Sequence, residues 1–234
     1  VPTWITDAST NNFTITPSGD TKPALRTPFS STTYTTSGSG YFDGVSDYLT
    51  LPASSAFAFS GDFTIECWIN TTNSTLDSFY RRIYMTDGPT GNAVGNFQIA
   101  IVPTTGYINL WENSGALDIS GTTNVADGSW HHIVACRSGT TLRLFVDGAQ
   151  QTSTTYTTTV TANAGSPRPR IGSYDGTQGD FDGYISNLRV VKGVAVYTGA
   201  YTVPTAPLAA TQGSSTNISA ITGTSTSLLT LQNW

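Results

Sequence analysis

Apolar positions in this chain recur at every second residue, in short runs broken by glycine, proline and threonine. In Phe63-Thr64-Ile65-Glu66-Cys67-Trp68-Ile69, the residues Phe63, Ile65, Cys67 and Ile69 share one face while Thr64, Glu66 and Trp68 share the other. A period of two predicts a strand, because successive side chains of an extended backbone point to opposite sides. The tryptophan on the second face predicts that both faces are covered there, as in the middle of a sandwich. From Trp130 to Gln151 three antiparallel strands are nearly spelled out: His131–Cys136, a turn at 137–140, Thr141–Val146, then a turn at Asp147-Gly148. A type I′ turn needs positive φ twice, and Asp-Gly tolerates that well. Phe97–Val102 and Tyr107–Trp111 read as a pair across Pro103-Thr104-Thr105-Gly106, and Tyr184–Val191 as a late strand. Tyr41-Phe42 and Tyr48–Leu51 read as an early hairpin across Asp43-Gly44, while 30–40 and 152–165 are patternless and read as edge strands or loops. No window sustains a helical period over three turns. Roughly a dozen short strands with a turn every ~8–12 residues predict an all-β, antiparallel two-sheet β-sandwich.

Composition changes that picture at few points. Leu, Ile, Val and Phe number 50 of 234 residues, close to the ~20% below which disorder sets in. Five Trp and eleven Tyr restore the balance, since each can remove roughly 150–250 Å² from water. Charged residues are 11% of the chain, whereas serine and threonine number 66, so solubility rests on hydroxyls and backbone. With two lysines and a net charge of −5, a phosphate-neutralising surface is absent and nucleic acid is not an expected partner. No run approaches the ~18 apolar residues of a membrane span, so no membrane insertion is expected. The chain starts at Val1 without a basic-then-apolar leader, which reads as a processed or excised piece of something longer. Cys67 and Cys136 lack metal-ligand spacing, which leaves two readings, buried free thiols or a cross-strand disulfide.

Six blocks carry a family resemblance. They are Tyr41-Phe42-Asp43-Gly44 with Asp47-Tyr48, Phe63–Ile69, Asp127-Gly128-Ser129-Trp130-His131-His132-Ile133-Val134, Leu142–Gly148, Arg170-Ile171-Gly172 and Phe181-Asp182-Gly183-Tyr184-Ile185. In this order they resemble the laminin-G-like, concanavalin A-like lectin and glucanase superfamily. The resemblance implies one jelly-roll domain over 1–234, with a recognisable core at about 41–208. Residues 1–40 and 209–234 then supply flanking strands or joints to neighbouring modules; the closing Leu228–Trp234 and opening Trp4–Ser9 segments admit both readings. Arg189-Val190-Val191-Lys192-Gly193, Tyr197-Thr198-Gly199 and Pro204–Leu208 resemble a variant found in structural proteins of tailed, especially marine, bacteriophages. That variant implies a non-catalytic structural and adhesive module of a virion appendage, such as a tail fibre or surface decoration. Its partners would be other virion subunits and host-surface glycan, its state multimeric or arrayed, its location the virion exterior or otherwise extracellular. A lectin-like module of a secreted or cell-surface protein is the main alternative and an endoglycanase the third, since one sandwich serves all three.

Sugar recognition needs aromatic faces for the C–H side of the ring and fixed polar groups for its hydroxyls. Tyr80, Trp111 and Tyr174 are the candidate platforms, and Arg81, Arg82 and Asp175 the candidate orienting groups, with rim covering as the alternative role of each. Catalysis would need two carboxylates flanking the bond. Glu66 and Glu112 are the two glutamates, and Thr64 and Trp68 occupy the positions where the family's glucanases carry partner acids. No enzymatic activity is therefore expected, and His131-His132 reads as a core run. The resemblance also implies calcium, held by hard oxygens at a sandwich edge, with Asp43, Asp47, Asp182 and Asn187 as candidate ligands. The family's strand acid is here replaced by Ser186-Asn187, and the aspartates can equally be turn formers before glycine. Glycosylation sequons at Asn12, Asn70, Asn73 and Asn217 match a composition in which chance matches are expected.

Overall fold

The computed structural model describes residues 5–30, 32–72, 79–86, 94–112, 115–162 and 169–234. The sequon at Asn73 and Trp4 of the opening segment lie outside these residues. Two antiparallel sheets face each other. The seven-stranded sheet has the order β1 (Thr16–Ser18), β4 (Tyr48–Thr50), β13 (Arg170–Ile171), β6 (Arg81–Met85), β7 (Phe97–Ile101), β8 (Tyr107–Glu112), β9 (Leu117–Asn124). The eight-stranded sheet runs β12 (Ala149–Thr155), β11 (Thr141–Val146), β10 (Trp130–Ser138), β5 (Phe63–Asn70), β14 (Asp182–Lys192), β3 (Ser39–Asp43), β2 (Lys22–Ala24), with β15 (Thr226–Thr230) also paired to β14. β14 serves two neighbours in succession. Its first half pairs with β3 and its second half with β15, and the change falls at a bulge where Asn187 adopts φ 51°.

Between the sheets lies the main core, to which Phe42, Leu49, Ile65, Ile99, Leu110 and Ile133 contribute with almost no exposure. Each fully buried side chain of this size stabilises the fold by ~1.5–3 kcal/mol. A second, smaller core sits on the outer side of the eight-stranded sheet. Val134, Cys136, Phe145 and Val191 of the sheet are covered there by Val196, Tyr197, Tyr201 and Ile221 of the chain that follows β14. The alternation within 63–69 therefore predicted a strand buried on both faces, and all eight residues of β5 are buried. Cys67 faces the main core and Cys136 the second one, so the two thiols lie on opposite sides of their sheet and both are free.

The 130–151 reading holds: β10, β11 and β12 are consecutive, and the turn at Asp147-Gly148 has φ 50° and 79°. The β7–β8 pair also stands as read. The early hairpin does not. Tyr41-Phe42 lies in the eight-stranded sheet and Tyr48–Thr50 in the seven-stranded one, so the segment from Asp43 to Asp47 crosses between sheets. A tight turn read from Asp-Gly alone cannot distinguish a hairpin from an arch. Here Asp47 decides, because its buried carboxylate accepts from the backbone N–H of Asp43 and of Asp20 and holds the arch open.

Candidate functional site

The outer face of the seven-stranded sheet carries a hollow of about 170 Å³ lined by Tyr80, Arg82, Gln98, Ala100, Asn109 and Trp111. Strand alternation creates it. In β7 and β8, Phe97, Ile99, Ile108 and Leu110 enter the core, which turns Gln98, Ala100, Asn109 and Trp111 outward. Register then places Gln98 opposite Trp111, and Ala100 between Arg82 and Asn109. Ala100 is the low point of the floor, since its methyl group stands between two longer side chains. The hollow is smaller than the ~300–1,000 Å³ of drug-sized ligand sites and suits a single ring.

Polar groups in the hollow have fixed orientations. The Gln98 carbonyl oxygen accepts from Arg82 Nε at 2.8 Å, which turns its amide nitrogen away, and that Nε2 is buried without a hydrogen-bond partner. Asn109 Nδ2 donates to Asp118 Oδ1 at 2.8 Å and to Ser120 Oγ at 3.0 Å, which leaves its buried Oδ1 without a donor. Gln98 is fully buried and Asn109 is 1% exposed. A buried polar atom without a partner costs ~1–3 kcal/mol, and such atoms call for an explanation such as a ligand or an ion. Here the residues that carry one such donor and one such acceptor line the same hollow.

Arg82 lies between two rings, its guanidinium carbon 5.5 Å from the centre of Tyr80 and 5.0 Å from that of Tyr174. Burial draws its pKa down to about 10, against a small opposing effect of the two tyrosines, so it stays cationic at neutral pH. Tyr174 reaches this position through a folded loop. Asp175 Oδ1 accepts from the N–H groups of Thr177 and Gln178, both at 2.8 Å, and Gly179, with φ 66°, comes too close to the Tyr80 carbonyl to admit a Cβ.

Four of the six candidate sugar-site residues are thus brought together: Tyr80, Arg82, Trp111 and, beside Arg82, Tyr174. Asp175 forms the turn that presents Tyr174. Arg81 points elsewhere, into a neighbouring hollow with Phe79, Gln178 and Asp180, because adjacent residues of a strand face opposite ways. Gln98 and Asn109 were missed by sequence reasoning. Their signal was a single amide in each of two otherwise apolar runs, Phe97–Ile101 and Ile108–Leu110.

The calcium candidates do not fit a shared ion. Asp43 and Asp182 are direct partners across β3 and β14, but Asp43 Oδ1 accepts from Val45 N–H and both oxygens of Asp47 accept from backbone. Burial raises the Asp47 pKa, against those two hydrogen bonds. Asn187 sits farther along β14, with Oδ1 accepting from Leu208 N–H and Gln232 Nε2 and Nδ2 donating to Ser186. Its side chain secures the bulge and the following chain. Among the described residues no three or more His, Cys, Asp or Glu side chains are grouped to hold a metal.

Nor do the glutamates form a pair. Glu66 lies under the second core, where Arg189, His132 and Tyr197 bind it, while Glu112 is buried in the other sheet and accepts from Gly95 N–H. Burial raises the Glu66 pKa, but Arg189 and the hydrogen bonds of His132 and Tyr197 prevail and hold it at about 2. His132 lies wholly inside, between Glu66 and the Tyr201 hydroxyl. His131 bridges Asp147 and Asp127 at 2.7 and 3.1 Å.

The profile of the concanavalin A-like lectin/glucanases superfamily matches residues 43–196, and the chain belongs to that family. No curated protein matches it. Among solved structures, the binding domain of Paraclostridial Mosquitocidal Protein 1 is similar at TM-score 0.54 and 12% identity, over 78% of this chain and 46% of that one. The binding domain of botulinum neurotoxin serotype D/C gives 0.51 and 9%, over 76% and 44%. A carbohydrate-binding candidate from Bacteroides ovatus gives 0.50 and 19%, over 67% and 43%. This chain spans less than half the length of each of the three.

Proposed function

We propose that this chain is a non-catalytic carbohydrate-binding module, and that it takes one sugar ring in the hollow on the outer face of the seven-stranded sheet. One observation carries the reading: a buried amide donor on Gln98 and a buried amide acceptor on Asn109, both without partners, line the same hollow as Trp111 and Tyr80. A sugar presents hydroxyls that both donate and accept, and an apolar C–H face for an aromatic ring. Water alone would match the amides but would not use the indole. Support from likeness is of the same kind, since the Bacteroides ovatus relative is a carbohydrate-binding candidate and the two toxin relatives are binding domains.

The setting we propose is an external appendage of a virion, where the module serves structure and adhesion among other subunits. The resemblance of 189–208 to phage structural proteins supports this setting, as does a surface of hydroxyls whose cohesion owes little to screened ion pairs. Binding by one small hollow is weak, and repeated copies raise it through effective concentration. The experiment is a glycan array probed with monomer and with a multimerised form. The multimer binds a defined glycan set, and Trp111→Ala removes that binding. A multimer that binds nothing leaves an architectural module without adhesion.

A further inference from the structure

Resting on the reading of this hollow as a saccharide site, we infer that it selects acidic saccharides, with a carboxylate or sulfate ester of the sugar against the Arg82 guanidinium. Arg82 is a half-buried cation whose neighbours are neutral: the Tyr80 and Tyr174 rings, the Tyr80 carbonyl and the Gln98 amide oxygen. Among the described residues it has no ion pair. Buried charges in proteins are ordinarily paired, because desolvation otherwise penalises them heavily. The two fully buried arginines differ: Arg189 binds Glu66, and all three side-chain nitrogens of Arg137 donate to carbonyls of Gly61, Thr158 and Phe59, whereas among the described residues Arg82 donates only through Nε and Nη1. Arg82, by contrast, borders an open hollow.

Neighbouring groups favour the same ligand. Gln98 lines the same hollow and carries an unpartnered Nε2 on the amide whose oxygen holds Arg82, so a second donor lies beside the guanidinium. An anionic group with two or three acceptor oxygens uses both, whereas a hydroxyl accepts from one. Guanidinium also matches carboxylate and sulfate geometry through parallel N–H bonds. The nearby acid of this face, Asp118, is held by Asn109, whose Oδ1 remains to accept from a sugar hydroxyl. The whole chain carries −5, so long-range steering opposes an acidic ligand and the selectivity must be local.

Calorimetric titration of the intact chain tests this with four probes: an oligogalacturonate, the same oligomer methyl-esterified, a sulfated galactan oligosaccharide and a neutral xylo-oligosaccharide. Oligogalacturonate or the sulfated galactan is expected to bind at least ~10-fold tighter than the two neutral probes, and whichever acid is preferred tells carboxylate from sulfate. Arg82→Gln brings acid and ester to within about twofold of each other, with thermal melting reporting that the variant folds. If that variant does not fold, the acid-to-ester ratio of the unaltered chain decides. Neutral probes bound as tightly as the acids, or more tightly, overturn the acidic preference and leave the saccharide reading in place. Binding of none of the four overturns the saccharide reading itself.

Discussion

Glu66 and Arg189 stand opposite each other in the register of β5 and β14, and Arg189 donates Nε and Nη2 to one Glu66 oxygen at 2.8 and 2.7 Å. Both side chains are fully buried. Their remaining groups are satisfied from the chain that follows β14: Arg189 reaches the Ala209 carbonyl and Gln212, and Tyr197 donates to Glu66. The ion pair is thus the polar centre that seats residues 193–222 on the sheet. Arg189→Met leaves a buried carboxylate alone and is expected to destabilise by about 3–5 kcal/mol. Glu66→Leu with Arg189→Met recovers part of that loss and not all, because Tyr197 and Ala209 stay unpaired. Urea melts of the two variants check the order; a double variant less stable than Arg189→Met would contradict it.

Acid should reach this pair late. Glu66 has its pKa lowered to about 2 from an ordinary 4.5, so its contribution is complete above the unfolded value and is lost as pH falls from about 4.5 towards 2. Melting temperature against pH in that window should drop more steeply for the unaltered chain than for Glu66→Gln. Parallel slopes would mean that other carboxylates govern acid unfolding.

At the other end of the scale, the His131 pKa is raised by its hydrogen bond to Asp147, against burial. A raised histidine contributes fully below its unfolded value of 6.5 and loses that contribution as pH rises through the folded one. His131→Gln should therefore lose more stability at pH 5 than at pH 9. The histidine titration followed by NMR would show the same shift directly.

Trp68 and Trp130 separate two kinds of strand aromatic. Trp68 is 7% exposed, edge-on to Phe29 and beside His132, whereas Trp130 is half-buried at a strand start next to Tyr184. Trp68→Ala is expected to cost about 3–5 kcal/mol and Trp130→Ala distinctly less. Equal losses in thermal denaturation would show that Trp130 carries packing its exposure does not reveal.

Glu66 and Glu112 lie in different sheets, both buried, so these two carboxylates do not face each other across a cleft. Incubation with neutral and acidic polysaccharides is expected to release no reducing ends. Release that vanishes in Glu66→Gln or Glu112→Gln would establish a glycanase.

By itself the sequence determined the central strands and which of their faces are apolar. Alternation in 63–69 and 97–101, and the Asp147-Gly148 turn, are local consequences of an extended backbone, and local pattern suffices to see them. It also carried the rings and the cation of the hollow, since Tyr80, Arg82, Trp111 and Tyr174 stand out by chemical type. Tertiary structure alone decided which residues meet. The arch at Asp43–Asp47 depends on a carboxylate reaching the N–H of Asp20, far back along the chain. Gln98 and Asn109 acquire meaning only when β6, β7, β8 and β9 align, because an amide counts as unsatisfied only once its neighbours are known. Arg81 and Arg82 are neighbours in sequence with the same side chain, and the pleat of one strand sends Arg82 alone to the hollow. Chemical type is written residue by residue, whereas a binding site is a relation between strands, fixed by register and pleat.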